Sequence, residues 1–387
     1  MVGICGAGIM GTGIAIANIR RGIRVKLYDA SPVALDRARH TICDELARLA
    51  SAGHPDHAFQ ICPTQDSLAE CDLLIESVAE NRELKQRVFR QLAPHLGPAA
   101  LVATNTSTIR LAELSAAVPD AGRFCGLHFC NPPTERPLVE IVRAHETSEA
   151  TLATLVAYTI RIDKLPIVVR DSPGFLVNRV LLPYLNEALE MVCQGIDLAA
   201  IDRAGRTFGM GLGPFEMLDL IGVDTAMRAG RTLWEAFPNR ITLTPVLPKL
   251  VKLGRLGRKT GHGFYRYPTC DGPGLPDPDL PPILAPYVRP QGSLSDTQIM
   301  ARLILPMLLE ATRAIEEEVV VHPRDVDLGL LFGLAFPPSR GGLLYWADCV
   351  GAARILEMLK PLESLGGRMQ PTALLRSLAA AGGRFYD

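Results

Sequence analysis

The 387-residue sequence has no Cys-x-x-Cys pair, no apolar run of membrane-spanning length and no marked excess of either charge. The missing apolar run removes a helical membrane span from consideration, and no charged-then-apolar leader opens the chain. A formal net charge of −1 gives no general reason to expect nucleic-acid binding. Nine cysteines are scattered without metal-ligand spacing. Their odd number and separation fit reduced thiols in a cytosol-like compartment, and the expected location is a bacterial-type cytoplasm, with a peroxisome or mitochondrial matrix as the alternatives. What is abundant is apolar sequence, at 48%. That is enough for a large core divided between two or three domains.

The chain opens with "VGICGAGIMGTGIAIANIRRGIRVKLYDAS". Residues 2–5 read as a short apolar strand. Gly6, Gly8 and Gly11 then form G-x-G-x-x-G, followed by a helical stretch and by a second strand ending at Asp29. In a dinucleotide fold the first glycine permits the tight turn, the second lets a pyrophosphate approach the backbone, and the third lets helix and strand pack closely. The helix N-terminus presents free N–H groups to the phosphates. Asp29 stands where a carboxylate can accept both ribose hydroxyls. It would repel a 2′-phosphate, and Ala30, Ser31 and Pro32 supply no arginine to offset that. The cofactor expected is NAD rather than NADP.

Strand and helix patterns continue to alternate. "DLLIESV" and "ALVATNTST" read as buried strands, and Glu80, Asn105 and Ser107 fall just past their ends. Ligands in open α/β sheets sit at that edge, although Asn105 and Ser107 could equally cap a helix beginning at "IRLAELS". In "GLHFCNPPTERPLVEIVR", His128 and Glu140 lie in two further strand-like runs. Alone, each reads as an ordinary hydrogen-bonded core residue.

From residue 171 the apolar spacing becomes helical. Residues 268–292 are dense in proline and read as an extended linker. The chain then repeats itself. Leu-Pro precedes a long helix in both copies, followed by an Asp (Asp202, Asp327), by Phe-Gly (208–209, 332–333) and by a proline turn (Pro214, Pro337). That ordered punctuation indicates duplication. The expected organisation is a Rossmann-type α/β domain at 1–170, a helical domain at 171–267, a Pro-rich linker at 268–295 and a second helical repeat at 296–387. One repeat would cover the apolar face of the other, giving an internal pseudo-dimer in a monomeric chain.

The blocks "GAGIMG", "LYD", "DLLIESVAEN", "TNTST", "GLHFCNP", "LVEIV", "DSPGFLVNRVLLPYLNEA", "GMGLGPFEMLDLIGVD" and "RKTGHGFYRY" occur in one order along nearly the whole chain. Together they resemble the 3-hydroxyacyl-CoA dehydrogenase family. In particular they resemble the C-terminal dehydrogenase half of multifunctional fatty-acid β-oxidation enzymes, without the hydratase half.

The resemblance implies NAD-dependent oxidation of a 3-hydroxyacyl-CoA. Its catalytic set falls on Ser107, His128, Glu140 and Asn178. Its cofactor contacts fall on Gly6, Gly8, Ile9, Met10, Gly11, Asp29, Glu80, Lys85, Asn105 and Asn131. It also implies an acyl-CoA substrate and association with a hydratase or thiolase.

Three places depart from the family pattern. The segment between the second strand and "CDLLIES" is shorter and poor in lysine. Thr134, Glu135 and Arg136 replace an apolar stretch. His262 occupies a variable position. A dehydrogenase of another hydroxy acid and a non-catalytic NAD-binding relative remain the alternatives.

Overall fold

The structure, a computed structural model, describes residues 1–51, 59–269 and 272–386. Cys270, Asp387 and part of the lysine-poor segment (52–58) lie outside the described residues. The chain divides into two compact units, Met1–Phe175 and Leu176–Asp387. The two helical repeats therefore share one unit.

The first unit is built on eight strands. They are β1 (Val2–Cys5), β2 (Val25–Tyr28), β3 (Phe59–Ile61), β4 (Leu73–Glu76), β5 (Leu101–Thr104), β6 (Phe124–Phe129), β7 (Leu138–Arg143) and β8 (Leu165–Arg170). They form one sheet in the order β3-β2-β1-β4-β5-β6-β7-β8. Pairing is parallel from β3 to β6, β7 runs antiparallel to β6, and β8 is parallel to β7. The order reverses between β1 and β4, which is where doubly wound sheets open a ligand crevice.

Helices α1 (Ile9–Ile19), α2 (Pro32–Ser51), α3 (Arg82–Leu92) and α4 (Glu149–Arg161) complete this unit. The sequence of α1, "IMGTGIAIANI", is apolar nearly all round, and every residue from Gly11 to Ile19 is buried. Such a helix belongs inside a core. Helix α3 is amphipathic and starts at Asn81, whose side chain accepts from the Leu84 N–H at 2.8 Å.

The second unit is helical. Its first copy comprises α5 (Val177–Cys193), α6 (Leu198–Phe208), α7 (Pro214–Ile221), α8 (Val223–Ala236) and α9 (Val246–Lys252). The proline-dense stretch is not extended throughout, because it carries a short helix, α10 (Leu280–Leu284). The second copy comprises α11 (Asp296–Glu316), α12 (Pro323–Gly329), α13 (Leu343–Val350), α14 (Ala352–Leu359) and α15 (Ala373–Ala381).

The two copies agree in side-chain chemistry as well as in helix order. The Leu-Pro pairs lie within the long helices rather than before them, so α5 and α11 each contain an internal proline, Pro183 and Pro306. Four residues before each proline stands an arginine, and four after it a glutamate. The pairs form crosswise: Arg179 with Glu310 at 2.7 Å and Arg302 with Glu187 at 2.8 Å. Both arginines and both glutamates are buried. The second partners correspond too, since Arg179 also reaches Glu317 and Arg302 reaches Gln194. Arg240 pairs with Glu310, and its counterpart Arg368 pairs with Glu187.

A second motif is repeated within each copy. Asp202 accepts from the Phe215 N–H and the Tyr265 hydroxyl, and Asp327 from the Leu344 N–H and the Tyr386 hydroxyl. Asp219 accepts from the N–H groups of Phe264 and Tyr265, and Asp348 from those of Phe385 and Tyr386.

Candidate active site

The turn after β1 requires its glycines. Gly6 has φ +115°, and a Cβ there would lie 2.4 Å from the Ser77 carbonyl oxygen. A Cβ on Gly11 would meet the Gly6 carbonyl oxygen at 1.8 Å, so the helix lies directly against the turn. Gly8 differs, because a Cβ there would meet no protein atom within 4 Å. Its absent side chain is not needed for packing and leaves the backbone open to a ligand. Ile9, at the start of α1, is 82% exposed beside it, and Met10 is half-buried.

At the end of β2, one Asp29 carboxylate oxygen accepts from the Ala7 N–H and the other from the Ser31 N–H, both at 2.7 Å. These bonds tie Asp29 to the glycine turn and leave lone pairs for two hydroxyls. The open backbone at Gly8, the helix start and the anchored carboxylate fit a dinucleotide.

The loops after β4 and β5 are joined by Glu80. Its Oε1 accepts from the Thr106 hydroxyl at 2.7 Å and from the N–H groups of Ser107 and Thr108, each at 2.9 Å. Burial works to raise the Glu80 pKa, but the Lys85 charge and these hydrogen bonds outweigh it and hold the pKa below its ordinary value. Glu80 thus fixes the backbone that carries Ser107, which is half-buried.

Lys85 lies underneath, 1% exposed, with Nζ 2.8 Å from Glu76 and 3.4 Å from Glu80. Its charge acts on these carboxylates rather than at the surface. Glu76 also accepts from the Thr104 hydroxyl at 2.6 Å, and no motif in the sequence drew attention to it. Its in-register position opposite Cys5 and Thr104 at the strand ends emerges only from the sheet pairing. Asn105 donates to the Ser77 hydroxyl at 3.3 Å and accepts from the Phe129 N–H at 2.9 Å. It ties the ends of β4 and β6 together rather than capping a helix.

His128 and Glu140 are direct partners in the antiparallel pairing of β6 and β7. Their side chains share one face of the sheet. The His128 Nδ1 lies 2.6 Å from Glu140 Oε2, with both groups buried. The Phe175 ring lies against the imidazole, 5.6 Å between centroids. A carboxylate at Nδ1 fixes the proton there in the neutral ring, leaving the Nε2 lone pair as the acceptor. Asn131 follows β6 at an exposed position before a cis peptide bond to Pro132. Asn178 stands in the first turn of α5 in the other unit, half-buried.

Other chemistries find less support. Burial pushes the Cys5 and Cys125 thiols up to about 12, so they are poor nucleophiles. Among the described residues no group of three or more His, Cys, Asp or Glu could hold a metal ion, and no helix is long and apolar enough to cross a membrane.

Comparison with known proteins bears directly on this geometry. Residues 1–172 match the NAD binding domain of 3-hydroxyacyl-CoA dehydrogenase, and residues 174–267 match its C-terminal domain. The chain belongs to the 3-hydroxyacyl-CoA dehydrogenase family. NAD is the cofactor of that domain, in agreement with the carboxylate at Asp29.

A fatty acid oxidation complex subunit alpha from Pseudomonas savastanoi is 37% identical over 99% of this chain and 55% of its own length. The chain thus spans about half the length of that curated relative. Among solved structures, the 3-hydroxybutyryl-CoA dehydrogenase of Escherichia coli K12 aligns with a TM-score of 0.84 at 26% identity, covering 98% of each chain. The (S)-3-hydroxybutyryl-CoA dehydrogenase of Ralstonia eutropha is 35% identical with a TM-score of 0.63, over 69% of this chain and 98% of its own. The dehydrogenase family fold thus extends here through a second helical copy, as in the Escherichia coli structure that aligns end to end.

Proposed function

We propose that the protein oxidises (S)-3-hydroxyacyl-CoA thioesters to 3-oxoacyl-CoA with NAD, and that His128 is the general base. The observation that carries this reading is the buried His128–Glu140 pair at 2.6 Å, on the strand ending beside the Asn105–Ser107 loop. NAD, when bound, supplies the hydride acceptor for C3. The chain's own residues handle the proton. Nε2 takes it from the 3-hydroxyl oxygen, so that the O–H bond breaks as the carbonyl forms. Glu140 holds the ring orientation and stabilises the resulting imidazolium, as the acid of a catalytic triad does. Ser107 and Asn178 donate hydrogen bonds to the reacting oxygen or the thioester carbonyl and fix its pose. Gly6, Gly8, Gly11, Ile9, Met10 and Asp29 hold the dinucleotide, with Glu80, Lys85, Asn105 and Asn131 shaping the rim.

The crosswise ionic cluster between α5 and α11 supports a monomer in which one helical copy occupies the apolar face of the other. The name of the Pseudomonas relatives, fatty acid oxidation complex subunit alpha, supports work in fatty-acid oxidation within a complex, and the family resemblance supports a hydratase or thiolase as the associated enzyme. The reduced, separated thiols support an aqueous reducing compartment. The direct test is NADH formation from NAD with 3-hydroxybutyryl-CoA, compared with free hydroxy acids. Turnover of free hydroxy acids alone would place the reaction elsewhere.

A further inference from the structure

The first helical copy contains a cavity of about 500 Å³. Its walls include Leu182, Leu185 and Leu189 of α5, Ala226 and Gly230 of α8, and Trp234 at its mouth. Matching Gly222 with Gly351, which open α8 and α14 with similar positive φ, places Ala226 opposite Ile355 and Gly230 opposite Leu359. Matching Pro183 with Pro306 places Asn186 opposite Leu309. In the second copy Leu309, Ile355 and Leu359 are all fully buried. The hollow therefore arises where the first copy has smaller or polar residues at three positions that the second fills with large aliphatic ones.

Gly230 lies inside α8, where glycine weakens a helix. No close approach explains it, because a Cβ there would meet nothing within 4 Å. The lining does not ask for an anion, since Arg228 is paired with Asp224 at 3.2 Å and Arg231 with Glu235 at 2.8 Å. What remains is an apolar slot with an open mouth, the form of a site for a hydrocarbon. Asn178, Leu182, Leu185 and Leu189 follow helical three-and-four spacing on one stripe of α5. From Asn178 to Leu189 that stripe runs about 16 Å, the scale of an extended fatty chain.

We infer that this cavity holds the hydrocarbon tail of the acyl group, and that the enzyme acts on medium- and long-chain 3-hydroxyacyl thioesters. The inference rests on the reading that Asn178 contacts the thioester end of the substrate. Each methylene withdrawn from water is worth roughly a four-fold gain in affinity, so a tail of several buried carbons carries a large preference.

The test restores in the first copy the residues of the second, as Gly230→Leu and, separately, Ala226→Ile. Two readouts are taken. One is the ratio of kcat/KM for 3-hydroxydodecanoyl-CoA to that for 3-hydroxybutyryl-CoA. The other is calorimetric binding of dodecanoyl-CoA relative to butyryl-CoA, without cofactor. The expected result is a wild-type preference for the longer chain in both, falling by about 30-fold or more in each variant, since filling the slot removes several methylenes' worth of burial. A ratio unmoved in folded Gly230→Leu and Ala226→Ile would overturn the inference, as would a wild-type enzyme that turns over the butyryl substrate with no gain for the longer one. If the wild type turned over neither substrate, the dehydrogenase reading would fail, and the calorimetric comparison would still decide whether the cavity takes a tail.

Discussion

Arg179 of α5 and Glu310 of α11 are ion-paired at 2.7 Å, and Arg302 with Glu187, their counterparts under the internal repeat, at 2.8 Å. Residue i of one copy contacts residue j of the other and the reverse also holds, which is the signature of a self-complementary interface. Here that interface is closed within one chain. Removing one partner of a buried pair leaves a charge uncompensated and typically costs about 3–5 kcal/mol. Glu310 keeps Arg240 and Arg313 near it, each at 3.1 Å, so Arg179→Ala is expected at the lower end of that range. Urea unfolding of Arg179→Ala, Glu310→Ala and the double variant measures the coupling. A coupling below about 0.5 kcal/mol would mean that the pair contributes little. Sedimentation of the intact chain should give a monomer, and a tight dimer joined through the first helical copy would contradict the assembly proposed here.

Gly8 and Gly11 make opposite predictions although they belong to one motif. A side chain at Gly8 meets no protein atom, whereas one at Gly11 strikes the Gly6 carbonyl oxygen. Gly8→Val should therefore keep the melting temperature within a few degrees and lose NAD binding by about ten-fold or more, through steric exclusion of the pyrophosphate. Gly11→Ala should lower stability itself. Calorimetric titration with NAD and thermal unfolding separate the two effects. Unaltered NAD affinity in Gly8→Val would place the dinucleotide elsewhere.

Asp29 governs cofactor choice by accepting hydroxyls and repelling phosphate. Asp29→Ala should weaken NAD binding and narrow the NAD-to-NADP preference by about ten-fold or more, an electrostatic and hydrogen-bond loss of roughly 1.5–3 kcal/mol. Loss of its bonds to the Ala7 and Ser31 N–H groups will also loosen the turn. Comparing Asp29→Asn, which keeps the shape, isolates the charge. Equal use of the two cofactors by the wild type would contradict the assignment.

The helical unit carries an inverted pH response. Burial raises the Asp202 and Asp219 carboxyls from 3.8 to about 6, against the hydrogen bonds they accept. Between those pH values the folded state holds more protons than the unfolded chain. These groups therefore lose stability as pH rises through that window, and the loss persists above it. Asp219→Asn should flatten this part of the profile, because it cannot ionise. Unfolding free energies measured at intervals from about pH 4 to pH 7 test it. An unchanged slope in the variant would show that Asp219 does not titrate in this range.

Much of the first unit was legible because its signals are local. The glycines, the strand ending at Asp29 and the alternating apolar runs each follow from backbone sterics within a few residues. The pairing of His128 with Glu140 was less so, because twelve residues of sequence do not say that β7 turns back antiparallel and sets the two in register. Glu80 and Lys85 show a further limit. The family resemblance places both at the cofactor; what the sequence does not show is that their own bonds run to Ser107, Thr108 and Glu76, determined by how β4, β5 and α3 pack.

The repeat was visible in its prolines and aspartates. The charged cross-pairs are not legible in the same way: arginine and glutamate stand at equal distances from Pro183 and Pro306, but only the packing of α5 on α11 brings them together. The match of Phe264-Tyr265 with Phe385-Tyr386 needs Asp219 and Asp348 in place to become evident.

The most direct measurement is steady-state turnover of (S)-3-hydroxybutyryl-CoA by the wild type and His128→Gln, alongside NAD affinity for both. The side chain of glutamine preserves a polar group but cannot act as the base, and loss of a general base costs on the order of 100- to 10,000-fold. A fall in kcat of that size is expected with NAD affinity within about two-fold, because His128 lies on β6 and not on the glycine turn. Near-normal turnover by His128→Gln would contradict it.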